Sequence, residues 1–127
     1  MAHRPRGSRI SFDEALRLYR AILRETGGEY GFVSEGTLHY ILDSLESIRG
    51  DIFTKAAYVI HGIATKHPMA NGNKRLAFAL GALLLRSAGF GLLIEKDETV
   101  ALMLRVAKGD LSTKALESWL RSKSKKI

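Results

Sequence analysis

Residues 73–87 read NKRLAFALGALLLRS and contain the longest apolar run of the chain. After three polar residues the stretch is apolar at nearly every position, so it leaves no polar face for solvent. A helix that is apolar nearly all round belongs in the interior of a protein rather than on its surface. The stretch therefore predicts a central buried helix, with the rest of the chain packed around it.

Capping residues and apolar periodicity predict five further helices. The first opens with the capping-box spacing of Ser11 and Glu14 and ends at a pair of glycines. A glycine-rich loop then precedes the second helix, and Gly50 separates the second helix from the third. The five helices are predicted from Ser11 to Gly27, from Ser34 to Gly50, from Asp51 to about His67, over Asp97–Lys108, and from Ser112 to about Lys123.

These elements predict an all-α fold, a compact single-domain helical bundle of about six helices. A short extended segment is expected near residues 90–95, between the central helix and the fifth. The length of 127 residues suits one domain with one hydrophobic core. We expect a basic tail over residues 1–9, a helical domain over 10–120 and a second basic tail over 121–127.

The net charge of +7 comes entirely from the two tails. Residues 10–120 hold 13 basic and 13 acidic side chains, so the predicted domain is neutral. Basic tails are usually solvated, and they are weak evidence for a nucleic-acid groove. RNA binding through the tails is therefore the least favoured function.

The chain has no cysteine, which excludes disulfides and thiolate chemistry and is compatible with a cytoplasmic protein. The sequence has no apolar run long enough to cross a bilayer, and its N-terminus lacks the apolar core of a secretory signal. We expect a cytoplasmic protein with no membrane partner, and the sequence leaves its oligomeric state open.

Residues 67–75 read HPMANGNKR. They comprise the loop before the central helix and the first three residues of that helix. The amides from Gly72 to Arg75 would point outward at the positive end of the helix dipole, which is a ready anion site. Lys74 and Arg75 add two cations, and Asn73 would cap the helix or donate its amide to a phosphate oxygen. His67, across the loop, would accept a proton from an incoming hydroxyl. The same residues also fit an ordinary turn with a helix cap.

The stretch HPMANGNKR resembles the core motif of the Fic/Doc proteins, usually written His-x-Phe-x-(Asp/Glu)-(Gly/Ala)-Asn-(Gly/Lys)-Arg. Lys74, and the absence of a second arginine where Phe78 stands, resemble the Doc (death-on-curing) toxin branch. The segments EGTLHYILDSLE, AAYVIHGIATKHP and NKRLAFALGALLLRSAGF resemble the family's helices around the motif. The resemblance covers roughly residues 10–120.

The resemblance implies a compact helical fold and transfer of part of ATP to a protein hydroxyl. Fic members mostly transfer AMP, whereas Doc-type toxins transfer the γ-phosphoryl to a threonine of elongation factor Tu. Carried over, His67 would be the catalytic base, Gly72 and Asn73 would hold phosphates, and Lys74 and Arg75 would neutralise charge on the transferred group. The resemblance also implies a Ser/Thr-bearing protein target, possibly one similar to elongation factor Tu. Restraint would come from a separate antitoxin.

Two positions depart from the family pattern. Met69 replaces the phenylalanine that packs beneath the loop, and Asn71 replaces the Asp or Glu that holds Mg²⁺. Three interpretations of Asn71 follow: a slow enzyme in which ATP itself holds most of the Mg²⁺, an inactive protein that only binds nucleotide or a partner, or deamidation to aspartate. The principal alternative to a transferase is therefore a catalytically weak member that binds nucleotide or a protein partner only.

The region Gly27–Gly36 corresponds to a flap that, in the family, docks the target segment by strand addition. This loop therefore belongs to the predicted functional region together with the HPMANGNKR motif.

Overall fold

A computed structural model describes residues 9–127, so the predicted N-terminal tail lies outside the described residues apart from Arg9. The described chain is a helical bundle with one small antiparallel sheet. In chain order its elements are α1 (Phe12–Thr26), α2 (Glu35–Ser44), a 3₁₀ turn (Leu45–Ser47), α3 (Ile52–Lys66), α4 (Asn73–Ser87), β1 (Phe90–Leu92), α5 (Lys96–Ala107), α6 (Thr113–Ser122) and β2 (Ser124–Lys126). The predicted all-α bundle of six helices is confirmed.

Four of the six helices in residues 9–127, α1, α2, α3 and α6, begin at a residue whose side chain caps the first turn. Ser11 accepts a hydrogen bond from the backbone of Glu14, whose side chain bonds back to the Ser11 N–H, so α1 begins with a complete capping box. Asp51 accepts hydrogen bonds from the first turn of α3, and Ser112 caps α6 in the same way. At α1, α3 and α6 the capping residues predicted from the sequence are therefore the ones that form the hydrogen bonds.

The core lies between α3 and α4, which cross as the central pair of the bundle. Gly81 of α4 lies so close to α3 that a β-carbon there would overlap the side chain of Ile60. Leu80, Leu85 and Ile63 are completely buried around this contact. The central helix predicted from residues 73–87 therefore has the predicted bounds and the predicted interior position.

The chain from residue 121 to 127 differs from the expected solvated tail. Ser124–Lys126 forms β2, which pairs antiparallel with β1 in the register Phe90 to Lys126. The Lys123 ammonium also lies 2.6 Å from a Glu98 carboxylate oxygen. Backbone hydrogen bonds and this ion pair hold the segment, and the basic side chains project from an ordered strand. The predicted extended segment near 90–95 is confirmed as β1 and is shorter than expected.

Among the helices of residues 9–127, none combines the length and the apolar composition that a membrane crossing requires.

Candidate functional site

His67 ends α3 in a left-handed backbone conformation, with φ 50° and ψ 59°. Its N–H donates to the Ile63 carbonyl, which closes the last turn of the helix, and its side chain is exposed. Left-handed backbone costs a residue with a β-carbon about 1–2 kcal/mol, and glycine is the usual residue at this position. The imidazole is thus carried outward at the end of the helix, away from the core.

The start of α4 presents unbonded backbone N–H groups. Gly72 precedes the helix with φ 75° and ψ 16° and contributes no side-chain cap. Within residues 9–127, no acceptor bonds the N–H groups of Asn73, Lys74 and Arg75. Free amides at the positive end of a 15-residue helix form a site suited to a phosphate oxygen. This part of the motif has the geometry that the sequence predicts for an anion nest.

Two cations border these amides. Lys74 and Arg75 are both exposed, and neither takes part in an ion pair within the described part of the chain. The Arg75 guanidinium reaches back toward Gly72, with Nη2 3.8 Å from where a β-carbon of that glycine would lie. Since both cations lack a carboxylate partner, their charge is available to an anionic ligand.

The side chain of Asn73 differs from the expectation. It is buried, its Oδ1 accepts from the Met69 N–H at 2.9 Å, and its Nδ2 donates to the Met69 carbonyl at 3.0 Å. Both polar ends of the carboxamide therefore meet backbone groups of the loop, which leaves one N–H of Nδ2 outside these two bonds. The side chain of Asn73 braces the motif, and its backbone N–H lies among the free amides at the start of α4.

The loop after α1 lies along the motif. Phe32 forms an antiparallel bridge with Met69, the Ala70 N–H donates to the Gly31 carbonyl, and the Val33 N–H donates to the Pro68 carbonyl. Met69 is only 1% exposed, and its side chain belongs to the hydrophobic core. The predicted flap and the predicted motif are thus one connected unit.

Asn71 points toward this loop rather than toward the free amides. Its Nδ2 donates to the Glu29 carbonyl in a short hydrogen bond. Its backbone carbonyl accepts from the buried hydroxyl of Tyr19 at 2.9 Å. Its Oδ1 is buried without a hydrogen-bond partner in the described chain and faces Gly28, where a β-carbon would overlap it.

These observations test whether the residues fit the Mg²⁺ that the family implies. Magnesium favours one or two carboxylates among octahedral oxygen ligands. Asn71 offers a neutral amide oxygen that is closed off by Gly28, and residues 9–127 contain no cluster of three His, Cys, Asp or Glu side chains able to hold a metal. The site does not fit a protein-held magnesium ion, so the expectation of Asn71 as a metal ligand is not supported.

A mostly apolar cavity of about 380 Å³ opens beside the two cations. It lies between α1, α4 and α5, and Phe78 stands on its α4 wall one helical turn after Arg75. Its lining includes Ile22, Lys74, Arg75, Phe78, Met103 and Leu104. A ligand that carries both phosphates and a flat apolar group would match a charged edge joined to an apolar interior.

The sequence predicted roles for His67 and for the start of α4, but it gave no sign of the part played by Tyr19, Gly28 and Glu29. Tyr19 looked like one more apolar position of α1, and the Glu29 contribution is a backbone carbonyl that any residue would supply. The available signal was the glycine pair at residues 27 and 28, because paired glycines mark backbone that a β-carbon would obstruct.

The family model described as the Fic/DOC family matches residues 9–85, which is more than half of the chain. The match begins just before α1 and ends inside α4, so it includes the flap loop and the whole HPMANGNKR motif. A search of curated proteins finds no match.

Proposed function

The chain belongs to the Fic/DOC family, and from that membership we propose that it is a Doc-like transferase that moves the γ-phosphoryl group of ATP to a hydroxyl of a protein target. Membership itself suggests transfer of AMP or phosphate onto proteins. The choice of phosphoryl transfer, the Doc-like toxin role and the identity of the target are the proposed parts.

One observation carries the proposal: free amides and two unpaired cations at the start of α4, with an exposed imidazole at the other end of the same short loop. The amides of Asn73, Lys74 and Arg75 would hold phosphate oxygens together with the cationic side chains of Lys74 and Arg75. His67 would meet the target hydroxyl, since its side chain is exposed. This arrangement separates the anion site from the base, as a transfer between two substrates requires.

In the proposed reaction, His67 accepts the proton of the target hydroxyl, and the hydroxyl oxygen forms a bond to the γ-phosphorus. The bond between the γ-phosphorus and the β,γ-bridging oxygen breaks, and ADP leaves with the electron pair. During transfer, negative charge on the oxygens of the phosphoryl group is stabilised by Lys74, by Arg75 and by the free amides. No step is assigned to a protein-held metal, because the donors present do not fit one.

The cavity next to Arg75 favours the phosphoryl over AMP as the transferred group. In the Fic branch a second arginine follows the first by three residues, whereas Phe78 stands here. An apolar wall suits a nucleoside better than a phosphate. If the nucleoside lies in this cavity and the triphosphate extends past Arg75 toward His67, the γ-phosphate is the group that meets the proposed base.

The proposed target is a protein with a Ser or Thr hydroxyl, such as a translation factor similar to elongation factor Tu, and the proposed setting is the cytoplasm. Val33, on the flap, is 73% exposed and Tyr30 is 45% exposed, so an extended target segment would find apolar side chains beside the motif. A separate antitoxin would restrain the enzyme, and toxicity without that partner is the expected phenotype.

The test is transfer from ATP labelled either at the γ- or at the α-phosphorus, with a cell lysate as the source of targets. We expect label on protein from γ-labelled ATP only. The assay is run with Mg²⁺, with Mn²⁺ and with EDTA. Label on protein from α-labelled ATP would show that AMP is transferred instead of the γ-phosphoryl group. Absence of transfer under all three conditions would refute the proposed enzymatic activity.

Matched variants identify the site in that assay. His67→Ala removes the proposed base and is expected to reduce transfer about 10²–10⁴-fold. Lys66→Ala removes the neighbouring exposed side chain and serves as the control, with transfer within about twofold of wild type expected because surface changes away from a site have small effects. Equal rates for His67→Ala and wild type would contradict the assignment of the base.

The second candidate function is binding of nucleotide without transfer, and the orientation of Asn71 favours it. Calorimetry with ATP, with and without Mg²⁺, distinguishes the two when read beside the transfer assay. Tight ATP binding that His67→Ala leaves unchanged, together with no labelled product, would support a member that only binds nucleotide.

A further inference from the structure

We propose that Asn71 is a positioning residue whose side-chain amide fastens the loop Gly27–Gly31 to the motif, in the position where the family has a metal-holding carboxylate. The inference deepens the proposed function and rests on it for the identity of the ligand. The fastening itself is a property of the unliganded chain and can be measured without ATP.

The evidence is that three separate parts of the chain converge on one residue. The Asn71 Nδ2 donates to the Glu29 carbonyl, and the Asn71 carbonyl accepts from Tyr19 on α1 at 2.9 Å. The same Tyr19 hydroxyl lies 3.5 Å from the Glu29 carbonyl. Asn71 therefore links α1, the flap loop and the approach to α4, and its hydrogen bonds span 42 and 52 residues of sequence.

The chemistry of this position requires an amide. The atom that faces the Glu29 carbonyl must be a donor, and an ionised aspartate has only acceptors. Aspartate would bring two carbonyl-type oxygens together in place of a hydrogen bond, while its other oxygen would lie where the Asn71 Oδ1 already faces Gly28. The departure from the family pattern therefore has a positive role, because asparagine satisfies a contact that aspartate would break.

The opposite side of the contact is equally specific. Gly28 has φ 109°, and a β-carbon there would overlap the Oδ1 and approach the Cγ of Asn71. Gly27 has φ 78°, yet a β-carbon at that position would meet nothing within 4 Å. The two adjacent glycines share a backbone region that disfavours side chains, but only Gly28 touches Asn71. They form a matched pair for experiment.

The consequence for the site is that the flap is held over the motif by the protein's own hydrogen bonds. In that arrangement Lys74, Arg75 and the free amides would neutralise phosphate charge directly. Asn71→Asp is then expected to weaken the site, whereas the metal-ligand interpretation expects the same change to improve it. The two interpretations predict opposite signs for one substitution.

The first experiment is a double-mutant cycle read by thermal unfolding and by hydrogen exchange of the amides of residues 28–31. Asn71→Ala is expected to speed exchange in this loop roughly 2–13-fold, the range for loss of one hydrogen bond, because the backbone carbonyl that Tyr19 binds is retained. Gly28→Ala alone is expected to do the same, and Gly28→Ala together with Asn71→Ala to cost clearly less than the sum. Gly27→Ala combined with Asn71→Ala should be additive. Additive effects at Gly28 would overturn the proposal.

The second experiment separates positioning from metal binding. Mn²⁺ is titrated into wild type and Asn71→Asp without nucleotide, and paramagnetic broadening of the amides of residues 67–75 is recorded. We expect no localised broadening in either protein. Localised broadening in wild type, or its appearance in Asn71→Asp together with unchanged loop exchange, would overturn the proposal.

ATP affinity then tests the connection to function. Asn71→Asp is expected to bind ATP more weakly than wild type, both in EDTA and in Mg²⁺, because the flap is released. Tighter binding by Asn71→Asp in Mg²⁺ would restore the metal-ligand interpretation. Failure of wild type to bind ATP at all would refute the proposed function, while the ligand-free cycle would still decide the role of Asn71.

Discussion

The interface between α3 and α4 and the loop that joins the same two helices are built by different interactions. The interface is held by apolar contact, with the backbone at Gly81 pressed against Ile60 among completely buried side chains. The loop is held by hydrogen bonds in which Asn71 and Asn73 bind backbone carbonyls. The interface therefore depends on apolar packing, whereas the adjoining loop depends on hydrogen bonds to its backbone.

Because the two regions are held by different interactions, substitutions in them should affect stability and activity separately. Changes in the interface alter the free energy of unfolding, because the contacts there exclude water and leave no group for a ligand. Changes at His67 or at the amides of α4 should alter transfer while leaving the core intact, since these groups face solvent. Substitutions in each region test whether stability and transfer change independently.

The largest effect is expected at His67. His67→Gly should reduce transfer about 10²–10⁴-fold, because the proposed base is gone. The same change should raise the free energy of unfolding by about 0.5–1 kcal/mol, since glycine accepts the left-handed backbone more readily. His67→Ala is the control: it should lose transfer without the gain in stability. A loss of stability in His67→Gly would contradict the separation.

In the interface, Leu80→Ala should lower the free energy of unfolding by about 2–5 kcal/mol, because it leaves a cavity in the completely buried core. Leu93→Ala, at a side chain that is 64% exposed, should change it by less than about 0.5 kcal/mol. Urea unfolding measures both. Transfer per folded molecule should stay at the wild-type level in each variant, and a specific loss in Leu80→Ala would break the comparison.

A smaller effect is expected from adding one carbon at the crossing. Gly81→Ala should cost about 1–2 kcal/mol, because the gain in helix propensity only partly offsets the overlap with Ile60. Ile60→Val should recover part of that loss in the double variant, by removing one overlapped methyl group. Gly36→Ala, in α2, should instead stabilise the protein slightly, since a β-carbon there meets nothing within 4 Å. A thermal-melt comparison of the four proteins measures these signs.

The smallest effect concerns acid stability at the start of α3. The hydrogen bond from Arg121 is the main cause that holds the pKa of Asp51 below its usual value, and the bonds from the α3 backbone add to it. A lowered pKa in the folded state stabilises the protein above the unfolded value of about 3.9, and this stabilisation is lost as the pH falls through the folded value. The contribution should be under about 1 kcal/mol, because both side chains are about half exposed.

Thermal melts of wild type and Asp51→Asn between pH 6 and pH 2.5 check this expectation. Asp51→Asn keeps an oxygen that can cap the helix but removes the titrating charge. Its melting temperature should therefore fall less than that of wild type over the acid range. An equal fall in the two proteins would mean that the ion pair with Arg121 adds nothing.

Much of the fold could be read from the sequence, since it depends on local chemistry and apolar period. The bounds of α4 agree with the sequence prediction because its apolar run is flanked by polar residues. The strand over Ser124–Lys126 escaped prediction, because a polar, basic run has no apolar alternation and pairs through its backbone. When a segment is held through its backbone, its amino-acid types give little indication of the structure that it adopts.

The candidate site likewise contains groups whose placement follows from local sequence and groups whose placement does not. His67 and the amides of α4 could be predicted, since a helix end presents its groups without help from distant residues. The partners of Asn71 and Asn73 could not, because the side chains of these residues turn toward backbone that only the folded chain brings near. The role of an asparagine in this motif therefore depends on tertiary contacts that its local sequence does not specify.

The long reach of the Asn71 contacts has a consequence for folding kinetics. The hairpin of α3 and α4 forms between sequence neighbours, whereas the hydrogen bond from Tyr19 to Asn71 closes 52 residues of chain. Long closures tend to be completed late, so the bond should be absent from the transition state for folding. We expect Tyr19→Phe to accelerate unfolding in stopped-flow experiments and to leave the refolding rate unchanged. The region around this hydrogen bond would then be the last part of the proposed site to form and the first to open.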